Sequence, residues 1–400
     1  MDRVAEGGGE SEKKNKKKMK SKRRSVVVGC MSVSCFKPSV SDQPDTVAAA
    51  PVGSGTNPAA CRPTHLVVTV NGIVGSAADW SFAAKQFVKK YPEDIIVHCS
   101  QSNSSSLTFD GVDVMGERLA KEVTSVISQR PELQKISFVA HSLGGLVARY
   151  AIGRLYSPII VMDSSEENGD VKIHKCGTQC PEEVKGKIAG LEPVNFITFA
   201  TPHLGCRSHK QIPVLCGSYA LEKMSYHICS IAGRTGRHLF LKDHDEGKPP
   251  LLLQMVNDCG DLQFISALQS FKRRVAYSNV CFDFIVGRKT SSIRPDHEIP
   301  KRPSFTKNER YPHIVYEEKP KTYCLRHEGF IGTKVSQPKT TEMEEAMLLG
   351  LNRVTWERID VSFRKSKQRI SAHSTIQVKN YSSHSDGADV IFHMIDNFLL

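Results

Sequence analysis

An α/β architecture with a mostly parallel sheet follows from three features of this chain. Apolar, β-branched runs alternate with amphipathic stretches from Thr64 onward. One of these runs ends in a serine set among very small residues, and another leads into a glycine-containing loop. Strands that alternate with helices at this spacing pair in parallel, and the crossover helices then cover both faces of the sheet.

The elements follow in order. His65–Val70 is apolar and β-branched after its histidine, which suits a buried strand. The pattern then predicts a helix around Trp80–Lys90, a strand at Asp94–Cys99 and a helix over Val112–Gln129. Lys135–Val139 reads as a short buried strand. After it, Leu143, Leu146, Val147, Tyr150 and Ala151 recur at helical spacing to about Leu155. A strand at Val194–Ala200 completes the regular part. Further on come a helix at Leu262–Phe271, a strand at Arg274–Val280, a short helix near Glu342–Leu351, a strand at Val354–Phe363 and a last helix at Ala388–Phe398. The stretches near 204–258 and 296–340 are too long for ordinary connections and read as lid-like insertions. Residues 1–63 lack periodicity and carry Gly7-Gly8-Gly9, a basic block and an Ala/Pro/Gly-rich run, the composition of a disordered tail. One domain over 64–400 is expected, since α/β domains commonly exceed two hundred residues.

The chemistry concentrates at Phe138-Val139-Ala140-His141-Ser142-Leu143-Gly144-Gly145. A strand-to-helix turn that presents a nucleophilic serine holds it in a strained conformation, and this requires small residues two positions before and after. Ala140 and Gly144 meet that requirement, so an α/β-hydrolase fold is expected with Ser142 as its nucleophile. The loop Asn71-Gly72-Ile73-Val74-Gly75 follows the first strand and suits an oxyanion hole, for which the backbone amides of Ile73 and Leu143 are the candidates. In such folds the order along the chain is serine, acid, histidine. Asp283, just past the strand Arg274–Val280, is the best-placed acid, with Asp296 second. The base should lie between the last strand and the last helix, which leaves His373 and His384. His141 adjoins the serine on a tight turn and points away from it. His203 is expected to shape the pocket wall.

These segments resemble the putative serine esterase family of lipase-like α/β-hydrolases, most closely its plant members. The resemblance rests on residues 70–75 with Asp79-Trp80, on Phe109-Asp110-Gly111-Val112-Asp113 and on the serine turn with Ala148–Ile152. It extends through Phe199–Gly205, Thr235–Leu241 and Trp356–Val361, so it covers about residues 64–400. It implies that the Asn-Val-x-x-Asp stretch at Asn279–Asp283 carries the acid. It also implies that the Ala-His pair at Ala372-His373 carries the base. Asn71 departs from most serine lipases, where a histidine precedes the oxyanion-loop glycine. The expected activity is carboxylic-ester hydrolysis on a lipid or acyl-ester substrate, with no metal or organic cofactor. The same groups would also serve acyl transfer or thioester cleavage, and a catalytically silent hydrolase-fold scaffold is the reading from another class.

The formal charge of +12 is uneven, and about half of it lies in residues 1–24. Lys13–Arg24 is a solvated tail, a membrane-surface or nuclear-import patch, or one part of a two-signal anchor with Cys30 or Cys35. Nucleic-acid binding is not expected, because no aromatic interleaving accompanies the block. Twelve cysteines scattered through a large chain favour reduced thiols. The pair Cys176 and Cys180 has no second pair at zinc-site spacing. Ser25–Phe36 is too short and too diluted by Ser, Cys and Gly for a convincing signal peptide. A cytoplasmic setting, with or without peripheral membrane contact, is the expectation, and organellar targeting is the alternative.

Overall fold

The computed structural model describes residues 62–159, 186–206, 232–244, 247–320 and 340–400. The readings of the basic tail, of Cys30 and Cys35, and of Cys176 and Cys180 fall outside these residues.

Among the described residues, six parallel strands and one antiparallel edge strand form the central sheet. In chain order they begin with β1 (His65–Val70), β2 (Ile95–Cys99) and β3 (Lys135–His141). A hairpin of β4 (Tyr156–Pro158) with β5 (Gly186–Ile188) stands apart from the sheet, which resumes with β6 (Glu192–Phe199). A two-residue pairing of β7 (Asp258–Cys259) with β8 (Leu262–Gln263) precedes β9 (Arg273–Asn279), β10 (Ile314–Glu318) and β11 (Glu357–Val361). The order across the sheet is β10-β11-β9-β6-β3-β1-β2, with β10 antiparallel to β11. The chain steps from β1 outward to β2 and then returns to β3 on the other side of β1. Such a reversal opens a crevice outside the carboxyl ends of the two strands, where ligands bind in open α/β sheets. The loop after β1 and the turn after β3 meet there.

Side chains alternate between two cores. Leu66, Val68, Phe138 and Phe196 face α2 (Val112–Ser128) and α3 (Leu143–Leu155). Val67, Val139, Ile197 and Val275 face α1 (Ser81–Lys90) and the last helix, Ala388–Asp396. Every residue of α3 from Leu143 to Gly153 is buried, because α2 and the helix Phe264–Ser270 pack on either side of it. Among the described residues, no helix is long and apolar enough to cross a membrane.

The expected lid-like insertions look different where they are described. In 296–340, Ile314–Glu318 forms the antiparallel edge strand rather than part of a lid. Its sequence, Ile-Val-Tyr-Glu-Glu, carries the charge typical of sheet edges, which hides it from a hydrophobicity pattern. In 204–258, Leu241, Leu252, Met255 and Val256 are core residues, and Arg149 donates to the Met255 carbonyl at 2.9 Å. These parts are packed into the domain.

Charged groups are also buried at the β10/β11 edge. Asp360, fully buried, accepts from Ser278 Oγ at 2.9 Å, from Arg288 Nη2 at 2.9 Å and from Arg294 Nη1 at 3.0 Å. Arg294 also pairs with Glu318 at 2.9 Å. Removing one partner from a buried ion cluster leaves uncompensated charge, so Asp360→Ala should lose about 3–5 kcal/mol of stability. Urea unfolding followed by circular dichroism measures this, and an unchanged midpoint would show that water balances the guanidiniums.

Glu122 on α2 ties down the segment after β2. Burial alone would raise its pKa. Hydrogen bonds from His98 Nε2 (2.9 Å), Ser100 Oγ (2.6 Å), the Ser102 amide (3.3 Å) and the Gln101 amide (2.7 Å) outweigh burial and hold it at about 2 instead of 4.5. The folded pKa lies below the unfolded one, so this stabilisation is complete above pH 4.5 and fades as the pH falls toward 2. Glu122→Gln should therefore cost on the order of 3 kcal/mol at pH 6, with the gap to the parent closing on acidification. A gap that stays constant between pH 6 and pH 3 in denaturant titrations would contradict this.

Candidate active site

Ser142 follows β3 directly and caps α3 at φ 53° and ψ −127°, a conformation that L side chains rarely adopt. Its amide donates to the Phe199 carbonyl at 2.8 Å, which fastens the turn to the neighbouring strand. Gly144 allows the turn to close, since a Cβ there would lie 2.5 Å from the Val70 carbonyl oxygen. Strained backbone recurs along this edge of the sheet. Val74, Ala200 and Phe282, which follow β1, β6 and β9, also have positive φ. Such strain persists where the surrounding structure enforces it, and it gathers at functional sites.

The structure brings Ser142, His373 and Asp283 into one line. His373 lies on the short helix Ala372–Thr375 after β11, with its Nε2 2.9 Å from Ser142 Oγ and its Nδ1 2.9 Å from Asp283 Oδ2. Asp283 sits on the loop after β9. Burial would raise its pKa, but the His373 imidazole, the Val286 amide and Asn279 hold it below the usual carboxylate value. Its Oδ1 accepts from the amides of Ile285 at 3.1 Å and Val286 at 2.8 Å.

Asp296 lies elsewhere, its side chain 79% exposed beside Lys289. His384 also stands apart, with its Nδ1 near Ser383 Oγ and the Asn380 carbonyl. His203, expected at a pocket wall, is wholly buried in the core, with its Nε2 3.1 Å from Thr198 Oγ1 and its ring against Trp356.

The proposed oxyanion loop passes directly over the serine, where a Cβ on Gly72 would sit 3.0 Å from Ser142 Cβ. Asn71 anchors this loop by donating to the Asn103 carbonyl at 2.9 Å, and Val74 donates to Thr108 Oγ1 at 2.9 Å. Ile73 follows Gly72, and Leu143 is the first residue of α3, so both lie beside Ser142 in sequence or space.

Two supporting residues had no assigned role in the sequence. His141 Nε2 donates to the His373 carbonyl at 2.6 Å. Burial, reinforced by the neighbouring His373 ring, holds His141 neutral with a pKa well below the usual value. Asn279 donates both to Asp283 Oδ2 at 2.9 Å and to the Ala372 carbonyl at 3.2 Å, so it braces Asp283 and the His373 segment together. The only sequence signal for Asn279 was its place in the Asn-Val-x-x-Asp stretch, and its double contact requires β9 and the His373 segment to meet.

Sheet order, strained serine turn and histidine contact together define an α/β-hydrolase. The chain belongs to the putative serine esterase family, a lipase-like hydrolase family whose sequence profile matches residues 61–293. That match includes Ser142 and Asp283 and ends before His373. The chain is similar to the putative lipase ROG1 of Saccharomyces cerevisiae, at 30% identity over 234 residues, covering 57% of this chain and 28% of that protein. It is also similar to a putative lipase of Schizosaccharomyces pombe, at 28% identity over 239 residues, covering 58% of this chain and 26% of that protein. It thus spans under a third of the length of these relatives. Solved structures similar to it include the propeptide form of the Bacillus licheniformis lipase BlEst2, at 14% identity and TM-score 0.32 over 56% of this chain and 38% of that one. Another is an extracellular α/β-hydrolase from a Paenibacillus species, at 12% identity and TM-score 0.33 over 79% and 98%.

Proposed function

We propose that the chain hydrolyses carboxylic esters, of lipid or acyl-ester type, through a Ser142–His373–Asp283 triad and an acyl-enzyme. The carrying observation is the unbroken path from Ser142 Oγ through both ring nitrogens of His373 to Asp283, with each contact at 2.9 Å. The yeast relatives' names as putative lipases support the substrate class.

In this mechanism His373 Nε2 takes the serine proton as Oγ attacks the ester carbonyl, and Asp283 fixes the tautomer and stabilises the imidazolium. The amides of Ile73 and Leu143 stabilise the tetrahedral oxyanion, each contributing roughly 3–4 kcal/mol to lowering the barrier. His373 then protonates the departing alcohol, and a water deprotonated by the same ring cleaves the acyl-enzyme. Residues 64–400 form the catalytic domain.

The test is a chain-length series of p-nitrophenyl and glycerol esters with the purified full chain and its Ser142→Ala variant. Turnover that depends on Ser142 and varies with acyl length supports the reading. Absence of turnover on every ester, or equal rates in both proteins, would refute it.

A further inference from the structure

We propose that the rim of the candidate active site docks the folded domain on an anionic lipid surface. Three exposed aliphatic side chains lie within three residues of groups at the site. Val74 follows Ile73 and is 59% exposed, Ile285 is two residues past Asp283 and 57% exposed, and Ile370 is three before His373 and 73% exposed. Because three residues span at most about 10 Å, chain connectivity alone keeps all three around one opening. The strained backbone at Val74 sits on the same edge. A single exposed aliphatic residue is ordinary, whereas several around one opening mark an interaction surface.

The charge on this rim is one-sided. The segment Ser362–Ser371, which leads from β11 to His373, holds Arg364, Lys365, Lys367 and Arg369, all exposed, and no acid. Arg369 stacks 5.8 Å above the Phe282 ring, which fastens this segment beside the Asp283 loop. Next to it lies a cavity of about 430 Å³ whose lining includes Lys301, Arg302, Arg364 and Phe305 and no carboxylate. Of the acids close by, Asp283 is enclosed beneath His373, Asp386 is hydrogen-bonded to Ser366, and Asp79, Asp296 and Glu298 are each within ion-pair distance of a basic side chain, Lys379, Lys289 and His297.

Aliphatic tips interleaved with basic side chains suit the boundary between acyl chains and anionic headgroups, where the tips enter the apolar layer and the charges meet phosphate or carboxylate. The site would then open onto the surface that holds the ester. This inference rests on the hydrolase reading for its purpose only, since binding is measurable without turnover.

The experiment is vesicle sedimentation of the full chain, with phosphatidylcholine alone and with added phosphatidylserine. Two variants are compared with the parent, a triple Arg364→Glu, Lys365→Glu, Lys367→Glu and a single Ile370→Ser. The parent should bind the anionic vesicles, and each variant should bind them at least about 10-fold more weakly. Soluble-ester turnover and thermal melting should match the parent, which separates a docking defect from misfolding. All three proteins carry Lys13–Arg24, so retained binding by either variant would overturn the proposal. Equal binding of the parent to neutral vesicles would also overturn it. If no protein turns over any ester, the hydrolase reading fails while the vesicle result stands.

Discussion

Ser142→Ala is expected to lower kcat by about 10⁴–10⁶-fold and to abolish labelling by a fluorophosphonate probe, while melting at the parent temperature. The reasoning starts from the turn. The strained backbone at residue 142 is enforced by its neighbours, and the hydrogen bond its amide donates to the Phe199 carbonyl involves no side-chain atom. Alanine meets the same steric demand at φ 53° as serine does. The substitution therefore removes Oγ and its contact to His373 Nε2 and leaves the scaffold in place. Binding and backbone-amide stabilisation of the oxyanion would remain, which sets the floor of the residual rate. Labelling that persists in Ser142→Ala would move the nucleophile to another residue and dismantle the mechanism.

His373→Ala should cost a comparable factor, and combining it with Ser142→Ala should add almost nothing. Groups that act as one unit give non-additive losses, because the base has nothing to deprotonate once the nucleophile is gone. Here the ring sits between Ser142 Oγ and Asp283 Oδ2 at 2.9 Å on each side, with its backbone held by His141 and its segment braced by Asn279. His384→Ala is the control, since its imidazole contacts Ser383 and Asn380 instead. Near-normal turnover in His373→Ala, or a double variant slower by the product of the two single losses, would remove His373 from the triad.

The features legible in the sequence are those whose physics is local. A strand running into a serine between alanine and glycine specifies the turn, because only small residues at 140 and 144 let the backbone close against Val70. The alternation of apolar runs with amphipathic stretches specified the parallel sheet and its two-sided cover, since each strand faces two cores. Element ends shifted by a few residues, as with the last helix, which stops at Asp396 rather than Phe398. The hairpin of Tyr156–Pro158 with Gly186–Ile188 leaves no signature in the sequence, because three-residue strands carry no period.

By itself, then, the sequence determined the hydrolase architecture, the serine turn and the chain order in which an acid and a histidine must follow. The choice between His373 and His384 lay between two positions on one segment, and resemblance could only favour one of them. Tertiary structure decided which imidazole reaches Ser142, because β11 delivers residue 373 to the carboxyl edge of the sheet while His384 lies on the outer turn before the last helix. It also decided that Ile314–Glu318 closes the sheet edge, where buried arginines from distant segments neutralise Glu318. Contacts between residues tens or hundreds of positions apart depend on how the strands are ordered, and no local pattern encodes that order.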